Sequence, residues 1–504
     1  MFPPPAAGRR RRPPPAAAGD TRSTVRPSAG PVVDRARVDG TRPDSPGKVR
    51  KSREHAVAAT ESEHEFAADQ RWLGKSPPRP NLLFILADDL GWGDLGSYGS
   101  PTICTPNLDA LAAGGIRFTD GYSAAATCSP TRFALYTGRY PGRLSGGLEE
   151  PITKADERSG IPPSHPTLAS LLRDVNYTTA LYGKWHCGFL PWYSPVKSGW
   201  EEFFGNFSGG LDYYSKINHL GQYDLYEDEV EVTSLDYYTD TLTERTVEFL
   251  RREHIAPWML NLNFTTPHWP WEAPGDLDVS KELTARRLAG ETQVLFHYDG
   301  GSLDVYRRMV ESLDASVGTV LAALRETGQE HDTLVVFTSD NGGERFSYLW
   351  PFTGAKSSLR EGGIRVPTIL RWPRAIRSKQ VSSIPVVTQD WTATLLEVAG
   401  AKPARSYPLD GHSLAGYLLR GEPAGEADLF WRTRTSRALR RGSWKYLRAP
   451  GATGALVDSL FDLASDQHEQ ANLAVRRSEL LAQLRTRREE LNKDQLPYGG
   501  LSHY

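Results

Sequence analysis

The chain has 504 residues, a formal net charge of −2 and 39% hydrophobic residues. This length allows one large α/β domain together with a smaller one. The near-neutral charge argues against a nucleic-acid-binding protein, which needs a strongly basic surface, and no apolar run reaches the length of a membrane span. Three cysteines, Cys104, Cys128 and Cys187, are too few for a disulfide scaffold and leave open whether a pair of them forms a bridge.

Residues 1–78 are rich in proline, alanine and arginine and contain few large apolar residues. Such a segment cannot bury enough surface to fold, so a disordered tail or a start codon assigned too early is predicted. The basic run at residues 9–12 is not followed by the apolar segment of a secretory signal. We therefore expect a cytoplasmic protein, or a periplasmic or secreted one if the first codon is assigned wrongly.

The first ordered element is a continuous apolar run at residues 82–87, which is typical of a buried parallel strand. Asp88 and Asp89 follow it directly, and two adjacent carboxylates at such a place are costly unless a cation neutralises them. The alternative is a capping or turn role, but capping needs only one aspartate. The pair therefore favours a metal site.

Residues 128–139 predict a helix that begins at Cys128 and ends at Gly138. The helix dipole and the free N–H groups at its start favour negative charge. Arg132 lies one turn along the same face. A sulfur, a helix dipole and an arginine would then meet at one point, which suits an anionic substrate, whereas a buried structural cysteine is the alternative interpretation.

Two further strands, at residues 178–182 and 258–264, each lead into polar residues. Lys184 and His186 are one residue apart and point the same way in an extended segment. His268 lies between two prolines that fix its loop. Between these strands, residues 190–238 are rich in aromatic rings, which either stack on a sugar or aryl group or fill the core beneath a long insertion.

The fourth apolar strand, at residues 333–338, leads into Asp340 and Asn341, and Lys356 follows in a glycine-rich segment. Four such strands alternating with helices predict an α/β fold with a large, open and mostly parallel sheet flanked by helices. Ligands of these sheets bind at the carboxyl ends of the strands. We therefore expect the polar residues that follow the strands to form one site.

The pattern changes after about residue 425, where shorter strands, a hairpin around Gly442 and a last amphipathic helix are predicted. The prediction is thus a tail at residues 1–78, a catalytic domain at residues 79–425, and a smaller C-terminal α+β subdomain with antiparallel strands at residues 426–504.

The Cys-x-Pro-x-Arg motif that begins at Cys128, continued by Thr-Gly-Arg, resembles the signature of type I sulfatases, in the alkaline-phosphatase-like superfamily. The Gly-Lys-Trp-His motif at residues 183–186, the Pro-His-x-Pro element at residues 267–270 and the Gly-Ala-Lys motif at residues 354–356 match the same family. Cys187 replaces the leucine that is usual there. The resemblance covers about residues 81–473 and implies the alkaline-phosphatase-like fold.

The resemblance implies that a formylglycine-generating enzyme oxidises Cys128 to Cα-formylglycine, whose hydrated aldehyde attacks the sulfur of an aryl or carbohydrate sulfate monoester. It also implies a divalent metal ion, usually calcium. Oxygen ligands select Ca²⁺ or Mg²⁺ over zinc, and the sequence does not separate these two ions. The ligands that the resemblance implies are Asp88, Asp89, Asp340, Asn341 and the modified Cys128.

The other matched residues receive their roles from the same resemblance. Arg132 and Lys184 hold the hydrated aldehyde and neutralise charge. His268 or Lys356 protonates the leaving alcohol, and His186 takes a proton from the second hydroxyl of the hydrate so that sulfate is released.

Three alternatives stay open beside a sulfatase. Asp88, Asp89 and Asp340 carry three negative charges in total. A divalent cation together with Arg132, Lys184 and Lys356 carries five positive charges. The positive excess suits an anionic ester, including the substrate of a phosphonate monoester or phosphodiester hydrolase of the same superfamily. An inactive sulfatase-like binding protein and a cysteine hydrolase are the others. The three aspartates count against the latter, which needs no metal carboxylates.

Overall fold

The computed structural model describes residues 79–499 of the chain. The predicted tail at residues 1–78 lies outside the described residues, so its disorder stays a prediction. Among the helices of the described part, none is long and apolar enough to cross a membrane. All three cysteines are described and unpaired, with Cys128 and Cys187 buried and Cys104 exposed, so no disulfide bridge joins them.

The strands and helices of residues 79–499 are numbered here in chain order. The strands are β1 (Asn81–Ala87), β2 (Ile116–Phe118), β3 (Gly121–Tyr122), β4 (Thr178–Gly183), β5 (Glu202–Gly205), β6 (Tyr226–Glu227), β7 (Val230–Glu231), β8 (Trp258–Asn263), β9 (Thr333–Ser339), β10 (Thr368–Arg371), β11 (Gln380–Ser382), β12 (Val386–Val387), β13 (Asp428–Arg432), β14 (Arg437–Arg441), β15 (Trp444–Pro450) and β16 (Leu456–Asp462). The α-helices are α1 (Pro106–Ala113), α2 (Cys128–Thr137), α3 (Leu168–Arg173), α4 (Tyr238–Arg251), α5 (Leu277–Leu288), α6 (Leu303–Glu326), α7 (Glu361–Ile364), α8 (Thr388–Ala399), α9 (Ala415–Arg420) and α10 (Ser478–Lys493).

A large mixed sheet of ten strands has the order β11-β2-β10-β9-β1-β8-β4-β5-β6-β7. The four apolar strands expected from the sequence are its four central neighbours, and they pair in parallel. Antiparallel pairs involving β10, β6 and β7 lie toward the edges, which makes the sheet mixed. The central strands read as continuous apolar runs because both faces of the sheet are covered.

The two faces of β1 show this covering directly. Its residues Leu82, Phe84 and Leu86 pack into one hydrophobic cluster, whereas Leu83 and Ile85 pack into another. Helix α6 contributes to the second cluster. It begins directly after Ser302, whose side chain caps it by accepting a hydrogen bond of 3.2 Å from the backbone N–H of residue 305.

A separate antiparallel sheet, β13-β14-β15-β16, follows in the C-terminal part of the chain. The expected hairpin joins β14 and β15 through Gly442, whose φ of 56° suits glycine. Helix α10 places Leu484 in a hydrophobic cluster with Leu439 and Tyr446 of this sheet. The predicted antiparallel strands and terminal helix are therefore present.

The small sheet meets the rest of the protein through a buried ionic network. The ammonium of Lys445 in β15 lies 2.7 Å from a carboxylate oxygen of Glu361 in α7 and 3.0 Å from one of Glu469, and all three side chains are buried. Burial by itself would raise the pKa of Glu361, but Lys445, Arg365 and Arg440 lower it to about 2. Glu361 is therefore ionised, and Lys445 neutralises its charge.

We expect Lys445→Met to destabilise the protein by about 3–5 kcal/mol, because it removes the cation that two buried carboxylates share. The urea concentration at half-unfolding measures the change. Lys402, which is exposed, provides the matched control, and Lys402→Met should leave this midpoint nearly unchanged. Equal midpoints for the two variants would contradict a stabilising role of the buried network.

Candidate active site

The polar residues expected to cluster lie at one edge of the large sheet. They follow the carboxyl ends of β1, β4, β8 and β9, which are parallel neighbours, so their loops open on the same side. The residues that the structure brings to this edge are Asp88, Asp89, Lys184, His186, His268, Asp340 and Asn341.

Cys128 is the first residue of α2, and only 1% of its surface is exposed. The helix ends at Gly138, whose φ of 66° is the left-handed conformation expected of a glycine stop. Arg132, one turn after Cys128, is fully buried. The beginning and the end of this helix are therefore where the sequence predicts them.

The guanidinium of Arg132 connects three elements. Its Nε and Nη2 donate to Oδ2 of Asp340 at 3.0 and 2.8 Å, and its Nη1 donates to the carbonyl oxygen of Lys184 at 2.8 Å. Its Nη2 also lies 3.9 Å from Oδ2 of Asp88. Arg132 thus joins α2 to the loops that follow β9 and β4.

Two lysines neutralise the aspartates that follow β1. The Nζ of Lys184 lies 2.5 Å from Oδ2 of Asp88, and that of Lys356 lies 2.6 Å from Oδ2 of Asp89. Burial alone would lower the pKa of Lys356, but the negative charges of Asp89 and its other neighbours raise it well above its usual value. Lys356 therefore keeps its proton. Glu344, at 3.4 Å, is a second partner of Lys356 that the sequence analysis did not include.

The hydrogen bond of each histidine fixes which ring nitrogen carries the proton. Nε2 of His186 lies 2.8 Å from the carbonyl oxygen of Ile152, and Nδ1 of His268 lies 2.7 Å from that of Trp269. A carbonyl only accepts, so these nitrogens donate. Burial and nearby lysines lower the pKa of both rings well below the usual value. In the neutral rings, Nδ1 of His186 and Nε2 of His268 are therefore acceptors.

The acidic pocket fits a metal ion. Ligand atoms of Asp88, Asp89, Cys128 and His268 lie within 4.8 Å of one another. Among the described residues, Oδ1 of Asp88 and Oδ1 of Asn341 are buried without a hydrogen-bond partner. Unpaired buried oxygens are costly, and a hard cation would coordinate them.

The five predicted ligands are not equivalent in this arrangement. Both Asp340 and Asn341 are fully buried beside the aspartate pair. Asp340 directs one oxygen to Arg132, and its other oxygen accepts from the backbone N–H of Asp89 at 3.3 Å. Asn341 donates through Nδ2 to Oδ1 of Asp89 at 2.7 Å, which leaves its own oxygen free. His268, predicted only as a proton donor, lies close enough to join the set.

Two adjacent glycines support the histidines. A Cβ at Gly209 would lie 2.5 Å from Cε1 of His186, and a Cβ at Gly210 would lie 2.8 Å from Cε1 of His268. Asp224 holds this loop by accepting from the backbone N–H groups of residues 207 and 208, both at 2.9 Å. This support was not predicted from the sequence, although the double glycine inside an aromatic segment was a detectable signal.

Cys128 opens into a cleft of about 250 Å³, which His186, His268 and Lys356 also line. The aromatic segment at residues 190–238 contributes little to it, because most of its rings are core. Trp200, Phe203, Phe207 and Tyr213, for example, are each no more than 2% exposed. The aromatic residues of the cleft are instead Trp269, Phe296 and Tyr298.

The site and the fold agree with the comparisons. A sequence model of the sulfatase family matches residues 80–401. The chain belongs to the sulfatase family. This sulfatase is 33% identical to N-acetylgalactosamine-6-sulfatase of Rattus norvegicus over 403 residues, covering 73% of this chain and 71% of the relative. It is 31% identical to steryl-sulfatase of Mus musculus, and this match covers 73% of this chain and 69% of the relative.

Among solved structures, this sulfatase resembles the crystal structure of Ps i-CgsB in complex with k-i-k-neocarrahexaose. The TM-score is 0.71 at 30% identity, and the match covers 83% of this chain and 93% of the other. Membership of the family makes the protein an enzyme that hydrolyses sulfate esters, and it implies a formylglycine and a metal ion. The acidic pocket beside Cys128 is the place in this structure that fits both.

We expect Gly209→Ala to lower kcat by about 10²-fold, because the added methyl group displaces the His186 ring and an error of about 1 Å in a catalytic group has this effect. Steady-state hydrolysis of 4-nitrophenyl sulfate measures the loss. At Gly425 a Cβ would meet no atom within 4 Å, so Gly425→Ala is the matched control. Full activity of the Gly209 variant would show that the glycine does not position the ring.

Proposed function

We propose that this sulfatase hydrolyses an aryl or carbohydrate sulfate monoester with Cys128 converted to formylglycine and Ca²⁺ in the acidic pocket. The observation that carries the proposal is the position of Cys128. It begins a helix, and its sulfur lies within 4.8 Å of carboxylate oxygens of Asp88 and Asp89. A formylglycine-generating enzyme would modify the chain before it folds, since the folded protein buries Cys128.

The formylglycine and the metal ion would supply chemistry that the unmodified side chains lack. The hydrated formylglycine supplies an oxygen nucleophile, and the metal ion supplies positive charge. Arg132, Lys184 and Lys356 surround this position with fixed cations, which bind the sulfate oxygens and stabilise the charge that develops on them. Because these cations are buried or nearly so, little water screens them.

The hydrogen bonds favour Lys356 over His268 as the proton donor to the leaving alcohol. Neutral His268 has its proton on Nδ1, which donates to a backbone carbonyl, so its Nε2 has no proton to give. Lys356 is protonated and lines the cleft. His268 then orients the alcohol oxygen as an acceptor or contributes to metal binding.

The hydrogen bond of His186 likewise supports a role for this histidine as the general base. Its Nε2 donates to Ile152, and its Nδ1 is buried without a partner among residues 79–499. Its pKa is lowered by burial and by Lys184, so Nδ1 has a free electron pair at neutral pH. This nitrogen accepts the proton that must leave the second hydroxyl of the formylglycine hydrate.

Calcium is proposed over magnesium because of the burial of the pocket. Asp88, Asp89, Asp340 and Asn341 are each no more than 1% exposed. Mg²⁺ sheds water reluctantly and usually keeps several water ligands, whereas Ca²⁺ accepts a flexible shell made of protein oxygens. A pocket built mainly of buried side chains therefore suits Ca²⁺.

The burial of Cys128 counts against a cysteine hydrolase that uses the unmodified thiol. Burial raises the pKa of the Cys128 thiol to about 12, so the thiol would stay protonated at neutral pH. A protonated thiol is a poor nucleophile. The phosphonate monoester or phosphodiester hydrolase is the remaining runner-up, because the same cations would bind either tetrahedral anion.

We expect the peptide that carries Cys128, from protein made in its own host, to be about 18 Da lighter than the cysteine form, since oxidation to the aldehyde replaces the thiol. Peptide mass spectrometry measures this difference. Cys128→Ala should abolish turnover of 4-nitrophenyl sulfate, whereas Cys104→Ala, at an exposed cysteine, should not.

Intact cysteine in active protein would overturn the formylglycine proposal. Modified protein that hydrolyses a phosphate diester faster than a sulfate monoester would support the runner-up instead.

We expect Asp89→Asn to weaken calcium binding by at least about tenfold, because it removes a charged ligand. Elemental analysis after dialysis against graded Ca²⁺ measures the binding independently of activity. Asp278→Asn is the control, since that carboxylate is 97% exposed and is not part of the acidic pocket. Unchanged calcium content in the Asp89 variant, or a pocket that retains magnesium instead, would contradict the assignment.

A further inference from the structure

A continuous row of aromatic rings leads from the catalytic centre out of the cleft. His268 packs against Trp269 with ring centroids 4.2 Å apart, and Trp269 packs against Phe296 at 4.5 Å. Phe296 and Tyr298 are stacked at 5.6 Å with ring planes only 7° apart. All four residues line the cleft that contains Cys128. We call Trp269, Phe296 and Tyr298 the aromatic wall.

The outermost ring of this wall is exposed, although its loop is held in place. Tyr298 has 69% of its surface exposed. Arg345 donates through Nη1 to the carbonyl oxygens of His297 and Tyr298 at 3.2 and 3.1 Å, and Asp299 pairs with Arg286 at 3.0 Å. A large aromatic ring presented on a fixed loop loses little conformational freedom when it binds a ligand.

The backbone between the two stacked rings is also unusual. His297 adopts the left-handed conformation, with φ 52° and ψ 42°, and its Nδ1 accepts a hydrogen bond from the backbone N–H of Trp271 at 3.2 Å. Residues other than glycine rarely take this conformation, and such strain concentrates at binding sites. Here it accompanies the parallel stacking of Phe296 and Tyr298.

The cleft also offers partners for hydroxyl groups. Glu344 lines it with a carboxylate that is 34% exposed, and Thr153 and His219 line it as well. His219 donates through Nε2 to the carbonyl oxygen of Thr153 at 2.9 Å, which leaves Nδ1 as an acceptor without a partner in the described part of the chain. A hydroxyl-rich leaving group would use these acceptors, whereas a hydrocarbon would leave them unpaired. Glu344 would also repel a second anionic group.

We propose that the leaving group is a carbohydrate of two or more rings, and that the aromatic wall binds it. The sulfated ring lies against Trp269 and Phe296 beside the catalytic centre, and the next ring lies against Tyr298 at the mouth of the cleft. This inference rests on the proposed function, and it adds the class of substrate. Aromatic faces with a few polar groups are the usual composition of such a binding site.

The test compares substrates of different length with two variants. The enzyme carrying formylglycine is assayed with three kinds of probe: 4-nitrophenyl sulfate, a set of hexose monosulfates with the ester at each position, and the corresponding tetrasaccharides sulfated on the terminal ring. Tyr298→Ala removes the outer ring of the wall. Trp192→Ala removes an aromatic side chain that is also exposed, at 41%, but does not line the cleft.

We expect the best tetrasaccharide to exceed its monosaccharide in kcat/KM by at least tenfold in the wild type. Tyr298→Ala should lower the ratio of kcat/KM for tetrasaccharide over 4-nitrophenyl sulfate at least fivefold, mainly through KM. Trp192→Ala should leave this ratio within twofold of the wild type.

Hydrolysis of 4-nitrophenyl sulfate without hydrolysis of any carbohydrate sulfate would overturn the substrate class but not the sulfatase chemistry. Equal rates for mono- and tetrasaccharides, or an unchanged ratio in the Tyr298 variant, would overturn the role of the wall. Formylglycine-containing enzyme that hydrolyses none of the three probes would contradict the proposed function itself, and the substrate class with it.

Discussion

The catalytic centre depends on the buried contacts of Arg132. This guanidinium donates to Asp340 after β9 and to the backbone carbonyl of Lys184 after β4, and it lies near Asp88 after β1. The helix that begins at Cys128 is thereby fixed to three strand ends. An arginine suits this position because its planar group donates in several directions at once and stays charged when buried.

The two aspartates that follow β1 are balanced by two lysines. Asp88 and Asp89 cannot remain buried as adjacent anions unless cations balance them, and Lys184 and Lys356 each pair with one of them. Burial, together with the nearby charge of Asp340, raises the pKa of Asp88 well above its usual value. The carboxylates are therefore poised to gain from a further positive charge, which is the physical reason that a divalent cation fits here.

The parts of the fold and site that the sequence predicts are those with a local rule behind them. The four central strands are buried over nearly their whole length, so they appear as apolar runs. Asp88, Lys184 and Asp340 follow because a parallel sheet collects its loops at one edge. Glu344, four residues after Asp340, was not predicted, although it belongs to the same loop. The start of α2 at Cys128 follows from the proline and glycine that bracket it.

The parts that the sequence analysis missed depend on tertiary contacts. Composition showed that residues 190–238 are aromatic but not which rings face the core, and most of them do. Phe296 ends a short 3₁₀ helix, Val294–Phe296, and Tyr298 lies in the loop after it, where no periodicity marks an exposed face.

The small sheet illustrates the same limit. Lys445 pairs with the side chain of Glu361 at the start of α7, five residues after Lys356, and Glu469 accepts a hydrogen bond of 2.8 Å from the backbone N–H of Glu361. Since Lys356 also depends on a backbone hydrogen bond of 3.0 Å to the carbonyl oxygen of residue 343, its loop is fixed on both sides. The C-terminal sheet thus contributes to the position of a charge in the active site, although none of its residues lines the cleft.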